Sequence, residues 1–221
     1  MGSTVLASAE PDATDLGTIT VPAPSFAEYA AADRRGRNGI VVDQHARQAD
    51  AEHYAHAFYR PITEAITASL TAADPAAPLA AATESAELNG QARAFDEVAA
   101  GFSRWWESAR ATPVPVGESV LRFGSLAVAV RPHLGFRDRA GVEHAVLLYL
   151  KEAPLARDAA NAALRVLDRC MLDLLPGAVP LVVDVRRAKQ HRLSRSVNVD
   201  LLDAWLAAQA SAYVTHWCRT D

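Results

Sequence analysis

The chain has 221 residues, half of them hydrophobic and 22% charged, with a net charge of −4 and two cysteines. That length suits one domain with a substantial apolar core. The acidic balance excludes a wholly basic nucleic-acid binder, although a local basic patch can hide within it, and two cysteines are too few for a disulfide framework, so a reducing cytoplasm is expected.

The longest apolar stretches, residues 145–150 and 179–183, fall far short of the ~20 residues that a spanning helix needs. No basic and apolar leader pattern opens the sequence, so neither a membrane partner nor a targeting peptide is expected. Only Lys151 and Lys189 are lysine against 20 arginines, and with the heavy use of alanine this composition suggests a GC-rich bacterial genome.

In chain order, residues 1–24 are rich in Ala, Ser, Thr, Asp and Pro without periodicity and read as a flexible N-terminal tail. This leaves 25–221 as a single mixed α/β domain. Residues 26–32 read as one or two helical turns and 39–43 as a short strand. From 50 to 72, Tyr54, Phe58, Ile62, Ile66 and Leu70 recur every four residues, the stripe of a helix facing a core. Pro61 either kinks that helix or opens a fresh one at its first position. Residues 73–84, with Pro75 and Pro78, read as a loop. A helix follows over 86–110, with Phe95, Val98, Phe102, Trp105 and Trp106 on one side. Adjacent helix positions sit about 100° apart, so only one of the two tryptophans can face fully inward.

The character then changes to β. Residues 118–131 are rich in strand formers around Gly124-Ser125, and 142–151 is the clearest strand, preceded by the turn signal Ala140-Gly141. Its continuous apolar centre marks a strand covered on both faces. Pro154 opens a helix that Pro176-Gly177 stops, with Leu164, Leu167, Met171 and Leu174 as its stripe. Residues 179–185 form another buried strand. Asn198 can cap a last helix with Leu201, Leu202, Trp205, Tyr213 and Trp217 inward. A strand–helix–strand connection of this length predicts parallel pairing of the two buried strands. The expected architecture is a small mixed β-sheet flanked by helices on both faces.

Few residues carry candidate chemistry. Lys151 directly follows a buried strand in a chain that prefers arginine tenfold, and a compact ammonium suits a point-charge role that a planar guanidinium fills poorly. Downstream, Arg186, Arg187, Lys189, Arg192, Arg195 and, when protonated, His191 concentrate positive charge after the second buried strand. A phosphate backbone is one natural partner for such a run, and an acidic protein or plain solvent is the other. His53 and His56 lie three apart with His45 nearby, but no further ligand of zinc-site reach accompanies them. Gly-x-Ser-x-Gly, phosphate-loop and dinucleotide-loop motifs are absent.

The order of elements and the triplet Tyr149-Leu150-Lys151 resemble the PD-(D/E)XK nuclease superfamily, whose core runs α-β-β-β-α-β in the restriction-endonuclease manner. The resemblance covers about residues 54–217. It implies a divalent-metal site, with Mg²⁺ as cofactor, in which hard carboxylate oxygens hold the ion and a lysine steadies water or phosphate. On this resemblance Lys151 takes the lysine position, and Tyr149 stands where the family has a carboxylate. His133, or Asp138 further on, lies where the first acid belongs, and Glu64 matches the extra acid of some members. Glu64 and Asp138 are then the expected metal ligands. With Tyr149 in place of an acid, the implied function is nucleic-acid or partner binding with weak or absent metal-dependent phosphodiester cleavage. The alternative is a protein–protein interaction or scaffold domain, in which Tyr149 is a half-buried aromatic and Lys151 a solvated strand end.

Overall fold

A computed structural model describes residues 18–49 and 56–220, without the side chains of 47–49 and 56–57. His53 and the side chain of His56 therefore lie outside the described residues. The elements run β1 (Ile19–Pro22), α1 (Ala23–Ala31), α2 (Arg34–Ala49), α3 (His56–Ser69), α4 (Ala76–Glu84), α5 (Gln91–Ala109), β2 (Thr112–Val114), β3 (Ser119–Phe123), β4 (Leu126–Val130), β5 (Leu134–Arg137), β6 (Glu143–Tyr149), α6 (Arg157–Leu174), β7 (Val179–Asp184), β8 (Lys189–His191) and α7 (Val199–Trp217). A single 3₁₀ turn, Val185–Arg187, joins β7 to β8.

The strands form two mixed sheets, ordered β1-β4-β3 and β2-β5-β6-β7-β8. In the larger, β6 is central and pairs in parallel with β7, from His144 opposite Val179 to Tyr149 opposite Asp184. The crossover that makes this pairing possible is α6. Successive side chains of β6 point to opposite faces, so Ala145 and Leu147 join one core while Val146 and Leu148 join the other. The first core holds α1, α6, α7 and the smaller sheet, and the second holds α3, α4 and α5. The mixed sheet is thus flanked by helices on both faces.

Trp105 is 3% exposed, whereas Trp106 is half-buried and stacks on Phe102, the division that helical geometry requires. Asn198 caps α7 by accepting from the Asp200 and Leu201 amides.

Several local expectations are corrected. Residues 19–24 are not tail: Ile19, Val21 and Ala23 are buried, and β1 pairs in parallel with β4. Four residues are too short to display a period among polar neighbours, and their partner strand lies a hundred residues away. Residues 39–43 belong to α2, where Asp33 accepts from the Gly36 amide at the helix start and Val41 is buried in the first core. The expected loop over 73–84 contains α4, an alanine-rich segment whose first turn tolerates Pro78. The next helix starts at Gln91 rather than 86. Gln91 is buried because its side chain accepts from the Glu87 and Leu88 amides and donates to the Phe58 carbonyl. The crossover helix starts at Arg157, three residues after Pro154. Leu201 points outward at 69% exposed, and the inward stripe of α7 is Leu206, Ala210, Tyr213 and Trp217.

Candidate functional site

Beyond the C-terminal end of β6 lies a cleft of about 590 Å³. Such positions outside the carboxyl ends of parallel strands commonly hold ligands in α/β folds. Lys151 and His133 line it from the sheet, Glu28 from α1, Asp43 and Gln44 from α2, and Tyr59, Arg60 and Glu64 from α3. Three of the residues singled out in the sequence, Glu64, His133 and Lys151, therefore share one cleft.

The Lys151 ammonium forms an ion pair with Glu28, Nζ to Oε2 at 2.6 Å. Glu28 reaches it across 123 residues of sequence, and no local pattern marks it. Glu64 is engaged by Arg60 one helical turn away at 2.7 Å. His133 sits just before β5, where its amide donates to the Val146 carbonyl and its Nδ1 accepts from the Leu148 amide at 3.1 Å. That acceptor role puts the imidazole proton on Nε2. Burial lowers the His133 pKa to about 4, so the ring is neutral at physiological pH and offers the cleft a donor instead of a cation.

Tyr149 does not line this cleft. It lies in a small adjoining hollow with Pro24, Glu28 and Leu155. Burial first, then the Glu28 and Asp184 carboxylates, raise its pKa above the usual phenol value. Tyr149 is accordingly a neutral phenol at the position where the resemblance places a carboxylate.

Asp138 is not brought to the site. It lies in the β5–β6 hairpin, at the opposite end of β6 from Lys151, and a seven-residue strand spans roughly 20 Å. Its Oδ1 accepts from the Ala140 and Val142 amides, and its Oδ2 pairs with the buried His144 ring at 3.0 Å. These bonds, the His144 one first, hold its carboxyl below the usual range. Asp138 fixes the hairpin, and with Glu64 it does not make a shared metal site. Among the described residues no three His, Cys, Asp or Glu side chains group as metal ligands do.

The start of the basic run is spent internally. The Arg186 side chain is only 7% exposed. It donates to the Leu150 carbonyl and the Tyr59 hydroxyl and pairs with Glu97 at 2.6 Å. Arg187 pairs with the buried Asp184 and donates to the Glu152 carbonyl. The two guanidiniums thus grip the backbone on either side of Lys151 and position it. Gly101 of α5 permits this: a Cβ there would come within 2.0 Å of the Val185 carbonyl oxygen, so only glycine lets the 3₁₀ turn lie against the helix.

Lys189, Arg192 and Arg195 are exposed. Lys189 stands opposite Asp184, itself opposite Tyr149, so it lies two strands, or roughly 10 Å, from the Lys151 end. His191 is opposite Val182, and Arg192 and Arg195 follow as the chain runs away from that end. Burial, then Lys189, lowers the His191 pKa, which favours its neutral form and removes it from the positive run.

No family model matches the chain, and no curated protein matches it in sequence.

Proposed function

We propose that the chain is a PD-(D/E)XK-like domain that binds nucleic acid through the Lys151 cleft and lacks efficient metal-dependent cleavage. The observation that carries this reading is the meeting of Lys151, His133 and Glu64 in one cleft at the carboxyl end of a parallel strand pair. Lys151 supplies a point charge to phosphate, and His133 Nε2 supplies a neutral donor. Lys189, on the edge strand β8 roughly 10 Å from the Lys151 end, adds an exposed cation, while Arg186 and Arg187 hold Lys151 in place. Weak or absent cleavage follows from the donor set: a protonated phenol at 149, and carboxylates at 28 and 64 each bound to a cation.

A phosphate at Lys151 competes with Glu28, whose carboxylate already engages the ammonium and repels a second anion. Glu28→Gln should therefore tighten binding to a DNA or RNA duplex severalfold, and Lys151→Ala should weaken it. Affinity followed by fluorescence anisotropy should fall steeply with salt. Charge removal at Lys189 should reduce the salt slope by about one for the phosphate left without its cation. No salt-sensitive binding to any duplex would defeat the reading and favour a protein partner. Robust cleavage with Mg²⁺ or Mn²⁺, abolished by Lys151→Ala, would show an active nuclease instead.

A further inference from the structure

A second hollow, of about 510 Å³, lies between the N-terminal half of α2 and the C-terminal end of α7. It is separate from the Lys151 cleft: Asn38, Val41 and Val42 of α2 line the hollow, while Ile40, Asp43 and Gln44 line the cleft. Arg34, His216, Arg219 and Thr220 complete the hollow, and no carboxylate side chain is among its described lining residues. The contrast with the cleft is one of charge compensation. There each cation has its acid, Lys151 with Glu28 and Arg60 with Glu64. Here Arg34 and Arg219, distant in sequence, are exposed and make no ion pair with a described residue.

The walls are held by interactions on the far side of the lining. Tyr29 is fully buried, with its hydroxyl 2.8 Å from His216 Nδ1 and the Arg37 guanidinium 5.3 Å from its ring centroid. Arg37 also donates to the Ala30 and Ala32 carbonyls, tying α2 to the end of α1. His45 of α2 stacks on Trp217 of α7, their ring centroids 3.6 Å apart. Burial keeps the Tyr29 hydroxyl protonated. The hollow takes hydrogen-bond donors from Arg34, Asn38, Arg219 and Thr220.

Two features oppose an anion. The C-terminal end of α7 carries the negative pole of its helix dipole, and Asp33 stands at the start of α2. Both are partly spent: the Trp217 carbonyl bonds to the His45 ring and the Thr220 amide, and an Asp33 oxygen is taken by the Gly36 amide. Two guanidiniums that pair with no described carboxylate, and that match phosphate oxygens in geometry and charge, outweigh them.

We propose that this hollow binds an organic phosphate, its phosphoryl group between Arg34 and Arg219 and its apolar body against Val41 and Val42. The volume lies in the range of small-ligand sites.

The test titrates the full chain calorimetrically with phenyl phosphate, inorganic phosphate and succinate, the fold of each variant being checked by circular dichroism. Phenyl phosphate should bind saturably at one site and more tightly than inorganic phosphate. Arg34→Ala and Arg219→Ala, both at exposed positions, should each weaken it by about tenfold, and Lys151→Ala should leave it unchanged. Absence of saturable binding, or binding that survives in the double arginine variant, would overturn the proposal. Equal affinity for succinate would overturn the phosphate assignment. Displacement of phenyl phosphate by duplex DNA would assign the hollow to a polymer backbone and overturn the small-ligand reading.

Discussion

At position 133 an imidazole nitrogen accepts the Leu148 amide just before β5 begins to pair, and this couples one side chain to the stability of the central strand. Desolvation lowers its pKa from 6.5 to about 4. Between those values the unfolded chain binds the proton and the folded chain does not, so stability rises with pH across this window and is lost as pH falls through it. The full span corresponds to about 3 kcal/mol. His133→Gln offers Leu148 a carbonyl in place of the ring nitrogen and removes the titration. Urea unfolding of the variant should show a flatter dependence between about pH 4 and 6.5 than the parent chain. An unchanged difference would place the titration elsewhere.

Among the elements, β1 departs furthest from its sequence signal. Its four residues alternate between buried and exposed or half-buried positions, and the strand delivers the chain into α1, the helix that carries Glu28 to Lys151 and Tyr29 to His216. Burying Ile19 and Val21 contributes about 1.5–3 kcal/mol each. Removing residues 1–24 should therefore lower the thermal midpoint by about 10 °C or more, and Val21→Asp in the full chain should do comparable damage. A midpoint within a few degrees of the parent after the deletion would show that β1 contributes little.

For the whole molecule, two cores lie on opposite faces of one sheet, and β6 and β7 give side chains to both. Loss of packing on either face exposes the backs of the same strands, so the described chain should unfold in a single transition. Phe26→Ala in one core and Phe95→Ala in the other should each cost about 3–5 kcal/mol and each lower the same midpoint in calorimetry. Two separated transitions, each sensitive to one substitution, would divide the chain into independent units.

The buried strands, the crossover helix and the division of roles between Trp105 and Trp106 were legible because each is a local pattern, although which tryptophan faces inward was not. A strand covered on both faces must be continuously apolar, and a helix packed on one side must repeat its apolar residues near every fourth position. Lys151 was legible as a rare residue after such a strand. The sequence could not show which carboxylate reaches it. Asp138 is near in sequence yet lies at the far end of β6, while Glu28, 123 residues away, makes the ion pair. Charge density in 186–195 was visible, but its compensation was not. Arg186 and Arg187 are spent on Glu97, Asp184 and backbone carbonyls brought to them by α5 and β6. Local periodicity reflects the surface each element must bury, whereas charge pairing depends on distances that exist only after distant segments have packed.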